Sequence, residues 1–494
     1  MLKKVLVANR GEIALRVIRT CRSLGVQTVA IYSPWDRDEL YVRCSDEAYP
    51  LEGEEGHYLD MEQILRIGLS SGCDGLHPGY GFLAENAEFA RLVEDSPLTW
   101  IGPSSRCIAW MGDKVAARAA MKAAGVPVIP GTEEAVSPAR LEEAAGEVGF
   151  PLMLKAQGGG GGKGMRIVHS LEELSNAFER ARSEAKAAFG SESIYFERYI
   201  PFARHVEVQI FGDGEGNCVS IGERDCSLQR RHQKMIEEAP CSFISESTRE
   251  RLHRAAQQAG ASIGYRGAGT VEFLVDREER FYFLEMNTRL QVEHPVTELV
   301  YGLDLVELQL RVASGDLALP CDLSPRGHAI EVRILAEDPY ENFMPSVGRI
   351  TALELPGGPG IRLDSSLYLG QEITPYYDSL LAKLIAYGRD RRQAQQRAVG
   401  ALEEFHIQGV MTNISYARQV LEDPAFLRDE YHTRSLEEEL APRYSLSDLD
   451  RAAAVAAFVA YLQDDPKARI ASSEGGKNPW KLSGRIFSMR RGWI

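Results

Sequence analysis

The sequence predicts a multidomain fold of mixed α/β and α+β character, and three observations carry that prediction. The chain has 494 residues, more than one ordinary core holds, so about two to four domains are expected. Through residues 1–112, apolar runs alternate with helical patterns, which is the signature of βαβ units and a parallel sheet. From Glu197 onward, strand-like segments recur, and the organisation changes.

Lys4–Ala8 reads as a strand, Ile13–Leu24 as a helix, Gln27–Tyr32 as a strand and Met61–Ser71 as a helix. Ligand loops are expected at the strand ends of such a sheet. Asn9-Arg10-Gly11-Glu12-Ile13-Ala14 holds one glycine where a dinucleotide fingerprint needs three, so that reading is set aside. A second unit begins near Asp113-Lys114, and its strand Pro151–Ala156 feeds a glycine loop. Further strands are expected at His205–Phe211, Thr270–Val275 and Phe281–Met286. Beyond Gly327 comes an α+β region with turns at Pro356-Gly357-Gly358 and Pro375-Tyr376-Tyr377-Asp378. An Ala-rich helix is expected over Ala452–Ala460, capped by Ser447. The domains are accordingly drawn at 1–112, 113–326, 327–440 and 441–494.

Hydrophobic residues make up 44% and charged residues 26% of the chain, and the formal net charge is −15. That charge argues against nucleic-acid and anionic-membrane partners, which leave a basic footprint on the proteins that bind them. The eight cysteines are scattered without a Cys-x-x-Cys pair, as expected of reduced thiols in a cytoplasm. The first apolar run is too short for a signal peptide and turns directly into Asn9-Arg10-Gly11. No run approaches the ~18 apolar residues of a membrane span.

Two patterns carry chemistry. Gly158-Gly159-Gly160-Gly161-Gly162-Lys163-Gly164 follows the strand Leu152-Met153-Leu154-Lys155. Without Cβ atoms, such a loop can lie against phosphates, with Lys155 and Lys163 adding charge. It is not a Walker A loop, because Gln157 and Gly164 stand where glycine and Ser or Thr are needed. The alternatives are a lid that closes on its ligand and a flexible hairpin tip. The second pattern is a carboxylate pair. If Glu278-Glu279 forms a turn, Glu272 lies opposite Glu285, and period two puts Asn287 on the face of Glu285. Two facing carboxylates repel unless a cation lies between them, and hard oxygens suit magnesium. A solvated face with two unrelated acids is the plainer alternative.

With these pieces placed, the chain resembles biotin carboxylases of the ATP-grasp class over roughly residues 1–440. The likeness rests on Val7–Ala14, on His77-Pro78-Gly79-Tyr80-Gly81-Phe82-Leu83-Ala84-Glu85-Asn86 and on Met111-Gly112-Asp113-Lys114. It continues through the glycine loop, Glu223–Lys234 and Glu285–Glu298. The resemblance implies an ATP-grasp fold with an N-terminal Rossmann-like (pre-ATP-grasp) domain and a biotin carboxylase C-terminal domain. It implies ATP, magnesium (or manganese) and biotin, the last as a substrate borne on a carrier.

Residue roles follow at matching positions. Lys114 and Lys155 would contact the ATP phosphates beneath Gly160, Gly161, Gly162 and Lys163, with Glu197 and the Ile200 backbone at the adenine. His205, Gln229 and His232 would lie around the ribose. Glu272, Glu285 and Asn287 would bind the metal, in agreement with the hairpin count. Lys234, Arg289, Gln291, Val292 and Glu293 match the bicarbonate segment, with Glu293 as the base. Tyr80, Gly81 and Arg333 would face biotin or carboxyphosphate. Gln157 departs from the small residue usual there, and Lys163 stands where some members carry Arg.

Biotin-bearing domains resemble Ala-Met-Lys-Met on an exposed hairpin. The Met-Lys pair of this chain, in Ala120-Met121-Lys122-Ala123, lies in a helical run. Biotin is therefore expected from another chain, a biotin carboxyl carrier protein or domain, with a carboxyltransferase subunit as further partner and a homodimer as the usual assembly. The basic, aromatic tail from Asn478 to Trp493 reads either as a docking segment or as a locally packed terminus. Competing functional readings are an ATP-grasp ligase acting on a different acid and a nucleotide-binding regulatory subunit without catalysis.

Overall fold

The computed structural model describes residues 1–53, 57–132, 134–156, 165–189, 192–316, 318–321, 323–443 and 453–460. The first residues form a five-stranded parallel sheet of β1 (Lys4–Val7), β2 (Gln27–Tyr32), β3 (Glu47–Pro50), β4 (Gly75–His77) and β5 (Thr99–Trp100). Its order is β3-β2-β1-β4-β5, so the winding direction reverses between β1 and β4. In open sheets of this kind the crevice beyond the strand ends at such a reversal is the natural ligand site. Here Asn9 follows β1 and its amide donates to the carbonyls of Pro78 (2.7 Å) and Tyr80 (2.8 Å), which follow β4. Gly79 is required there: its φ is +65°, and a Cβ would come within 2.9 Å of the Asn9 amide nitrogen.

A small antiparallel sheet of β6 (Leu152–Ala156), β7 (Met165–Val168) and β8 (Ile194–Arg198) follows. Leu152, Leu154, Phe178 and Phe196 form its core with the helix Leu171–Phe189. The glycine loop, including Gly160, Gly161, Gly162 and Lys163, lies outside the described residues, as does Gln157.

The largest element is an eight-stranded sheet. It contains β9 (Arg204–Asp213), β10 (Cys218–Arg230), β11 (Gln233–Ala239), β12 (Arg266–Val275), β13 (Phe281–Asn287) and β14 (His328–Leu335), with the strands Leu380–Gly388 and Ile361–Ser365. The order begins β13-β12-β9-β10-β11-β14, so the sheet passes through the 326/327 position without interruption. Alternation builds its two faces. Val206, Val208 and Ile210 pack with Val271, Phe273 and the helix Glu246–Ser262, while His205, Glu207 and Gln209 take the opposite side.

The expected opposition of Glu272 and Glu285 is present, although the turn differs from the one assumed. Val275 pairs with Phe281, so residues 276–280 form a five-residue loop. The Asp276 carboxylate organises it by accepting from the Glu278 and Arg280 amides. A bulge between Glu272 and Phe273 then shifts the register by one and restores the opposition.

Residues 1–441 form one compact unit and 442–494 another. In the second, residues 453–460 are helical, within the expected Ala-rich helix. Ser447 and the basic tail lie outside the described residues. No helix among the described residues is long and apolar enough to cross a membrane.

Candidate active site

The polar face of the large sheet carries a charge cluster centred on Lys234. Its ammonium donates to Glu207 Oε2 (2.5 Å), Glu293 Oε1 (2.6 Å) and Glu272 Oε1 (2.9 Å). Burial alone would lower this ammonium, but Cys226 and the three carboxylates raise its pKa well above the ordinary lysine value. Arg224, also buried, completes the floor. It donates to Glu207 Oε1 at 2.5 Å, to Gln209 and Thr297 at 2.9 Å each, and to Thr270 at 3.1 Å.

Glu293 sits at the start of the helix His294–Tyr301 and is fully buried. Its second oxygen accepts from Arg333 Nη2 at 3.0 Å, and Arg333 also holds Glu237. Burial would push the Glu293 carboxyl up. Lys234, Arg333 and Arg224 more than offset that and hold it well below the usual carboxylate range. Glu237 retains a raised value of about 7, because burial outweighs the nearby Arg333.

Glu272 is the shared corner of the cluster. Besides Lys234 it meets His205 Nε2 at 2.9 Å and accepts from the Asn287 amide at 2.9 Å. Asn287 Oδ1 in turn accepts from Arg289 Nη2 at 3.3 Å. The donor set fits a hard divalent cation. Glu285 lies across from Glu272, and partial desolvation together with the Glu272 charge raises its carboxyl. Two such carboxylates with an amide oxygen beside them form an arrangement that a magnesium ion relaxes.

Arg289 is steered by Glu85 at 2.8 Å and by Gln291 Oε1 at 3.0 Å, and Gln291 also approaches Glu272 at 3.4 Å. The Val292 carbonyl accepts from buried Lys383 at 2.9 Å. Lys383 also lies 3.3 Å from Glu12, whose carboxylate accepts from the Tyr80 hydroxyl. Gly81 follows with a φ of +71°. Thus Tyr80, Gly81, Val292 and Arg289 are tied into one wall of the cleft.

On the other side, Lys155 pairs with Glu197 across the small sheet, and Arg118 approaches the same carboxylate at 3.4 Å. Lys114 opens the helix Lys114–Ala123 behind the Asp113 cap. Ile200 follows β8. Gln229 lies near the end of β10 opposite Lys234, and His232 lies in the exposed turn that joins β10 to β11.

The comparisons agree with this architecture. Residues 1–108 match the family model "Biotin carboxylase, N-terminal domain", and residues 331–438 match "Biotin carboxylase C-terminal domain". Residues 113–319 match "Carbamoyl-phosphate synthase L chain, ATP binding domain". Biotin carboxylase 1 of Bacillus subtilis is 49% identical over 445 residues, covering 88% of this chain and 98% of its own. The chain belongs to the biotin carboxylase family. The Pseudomonas aeruginosa biotin carboxylase is 48% identical over 448 residues, 89% of this chain and 99% of its own. Among solved structures, the biotin carboxylase domain dimer of Hydrogenobacter thermophilus 2-oxoglutarate carboxylase, in complex with MgADP, ADP and bicarbonate, superposes with a TM-score of 0.85. It is 45% identical and covers 90% of this chain and all of that one. Biotin carboxylase from Campylobacter jejuni gives a TM-score of 0.84 at 43% identity, covering 88% of this chain and 98% of its own. Membership makes the chain an ATP-grasp ligase.

Sequence reasoning missed Glu207, Arg224, Glu237, Lys383 and Glu85 as members of this biotin carboxylase cluster. Glu207 had a readable signal, since it alternates with His205 and Gln209 against Val206 and Val208. Arg224 and Glu85 lie within the Glu223–Lys234 and His77–Asn86 segments but were given no role there, while Glu237 and Lys383 carry no local signal, because their partners are remote in the chain.

Proposed function

We propose that the chain carboxylates biotin with bicarbonate at the expense of magnesium-ATP, through carboxyphosphate, giving carboxybiotin, ADP and phosphate. The observation that carries this reading is Glu293, a buried carboxylate held between Lys234 and Arg333. Neither of the competing readings, a ligase for another acid or a non-catalytic subunit, accounts for so costly an arrangement beside the Arg289–Gln291 wall.

Glu272, Glu285 and Asn287 would hold magnesium, which would neutralise phosphate oxygens. Lys114 and Lys155 would sit at the ATP phosphates, and Glu197 and the Ile200 backbone at the adenine. His205, Gln229 and His232 would lie near the ribose. The residues Gly160, Gly161, Gly162 and Lys163 would close over the phosphates and exclude water from the unstable intermediate.

Bicarbonate would be received by Arg289, Gln291, the Val292 backbone and Lys234. Glu293 is ion-paired to both Lys234 and Arg333, which holds its proton affinity down. A bound anion that takes up part of the Lys234 and Arg333 charge raises its proton affinity, so the base is released when its substrate arrives. The deprotonated substrate attacks the γ-phosphorus, and ADP leaves. Carboxyphosphate then splits into CO2 and phosphate, and phosphate takes the biotin N–H proton. Arg333 and Arg289 stabilise the charge on the ureido oxygen while the nitrogen attacks CO2.

In the structure, Lys122 lies within the helix Lys114–Ala123, a poor place for biotinylation. A separate biotin carboxyl carrier and a carboxyltransferase are the proposed partners, with a homodimer as the assembly and the cytoplasm as the compartment. The test is ADP release with ATP, magnesium and bicarbonate, measured with and without free biotin. Biotin-stimulated, bicarbonate-dependent release is expected; folded protein without it would contradict the proposal.

A further inference from the structure

Three large aromatic side chains are left open to solvent, one of them, Phe82, directly after the Tyr80–Gly81 wall. Trp35 is 54% exposed, Tyr376 59% and Phe82 41%. Trp35 and Tyr376 stack face to face, with ring centroids 4.7 Å apart. Exposed aromatic clusters of this kind mark interaction surfaces, and Trp and Tyr dominate binding hot spots.

The cluster is held rigidly and is continuous with the cleft. Next to Trp35, Asp36 is buried and accepts from Arg10 at 2.6 and 2.9 Å and from the Tyr58 hydroxyl at 2.6 Å. Arg10 lies 3.8 Å over the ring of Tyr377, the neighbour of Tyr376. Tyr58 touches both Tyr377 and Phe82, with centroids at 5.9 and 5.0 Å. Phe82 itself has a φ of +42°, a backbone state that a bulky residue rarely adopts, and it directly follows Gly81. The neighbouring residue Asn9 binds the Pro78 and Tyr80 carbonyls. One connected frame thus joins the Trp35–Tyr376 pair to the residues expected to face biotin, at the crevice where the parallel sheet reverses. Preorganised aromatic surfaces bind without a large ordering cost.

We propose that Trp35 and Tyr376, linked to Phe82 through Tyr377 and Tyr58, form the docking platform for the carrier protein that presents biotinyl-lysine. This rests on the biotin carboxylation reading and extends it from the reacting group to the protein that delivers it. The occupant follows from position and chemistry. A platform continuous with the cleft mouth meets whatever protein surface surrounds a tethered substrate, and the Ala-Met-Lys-Met hairpin expected of such carriers places methionines on either side of the lysine. Thioethers pack favourably on aromatic rings, and the exposed stacked pair offers both a face and an edge. Free biotin has no such flanks and gains nothing from the platform.

The test compares two substrates, free biotin and a purified biotinylated carrier domain bearing Ala-Met-Lys-Met. For Trp35→Ala and Tyr376→Ala, kcat/KM with the carrier should fall about tenfold or more, chiefly through KM. The value with free biotin should stay within about twofold. The double variant should lose less than the product of the single losses, because the rings support each other. Trp35→Phe should recover most of the carrier activity and guards against misfolding of the alanine variants. Equal losses with both substrates, or an unchanged carrier KM, would overturn the platform. Wild-type protein inactive with free biotin would instead overturn the functional reading, and the platform with it.

Discussion

Two lysines, Lys234 and Lys155, show how differently the two sides of the cleft are built. Lys234 emerges from the eight-stranded sheet and touches three carboxylates, and its side chain is 11% exposed. Lys155 stands on the three-stranded sheet, meets the single carboxylate Glu197 and is 28% exposed. The first is overdetermined by strands on both sides and by Arg224 and Arg333 behind it. The second is a partly solvated pair that shares Glu197 with Arg118 at 3.4 Å, and it is easily exchanged for a phosphate. The difference teaches a division of labour: the side proposed to perform proton and carboxyl chemistry is preorganised, whereas the side proposed to grip the nucleotide keeps its partners replaceable.

The sharpest probe is Glu293→Gln, which keeps shape and removes the proposed base. Turnover should fall by about 10²–10⁴-fold while ATP binding, measured by calorimetry, persists. Near wild-type turnover would remove Glu293 from that role. Next comes Lys234→Met, which leaves Glu207, Glu272 and Glu293 crowded without their ammonium. A loss of about 3–5 kcal/mol in urea unfolding is expected, together with loss of turnover; stability within about 1 kcal/mol of wild type would show that the centre is less dependent on its lysine than its contacts indicate.

Lys155→Gln should act on the other side alone. The KM for ATP should rise about tenfold, with stability changed by less than about 1 kcal/mol. An unfolding cost matching that of Lys234→Met would erase the contrast. A further effect is expected away from both regions, at Glu39, whose Oε1 accepts from Gln371 at 2.8 Å while Oε2 has no partner among the described residues. Burial, only partly offset by the Gln371 hydrogen bond, pushes its carboxyl up to about 7. An acid raised on folding gives stability that is fully present below about pH 4.5 and lost as pH rises through about 7. Glu39→Gln should therefore flatten the fall in stability between about pH 4.5 and 7, by up to ~3 kcal/mol; parallel wild-type and variant curves would remove Glu39 as its source.

The sequence by itself determined the parallel N-terminal sheet, the strand limits Gln27–Tyr32 and the opposition of Glu272 and Glu285. These depend on period-two alternation and on short-range counting, which are properties of a single stretch of chain. The hairpin also shows the limit of counting. The assumed two-residue turn is a five-residue loop, and a bulge compensates for it. Long motifs carried Lys234, Arg289 and Glu293 for the same local reason. The tertiary structure decided their electrostatics. Glu207, Lys234, Glu272, Glu293 and Arg333 come from β9, β11, β12, a loop before a helix, and β14, and strand order brings them together. It likewise placed Trp35 on Tyr376, 341 positions later. Alternation fixes which face a side chain takes, but which charges share that face depends on which strands become neighbours, and that is settled only when the whole sheet forms.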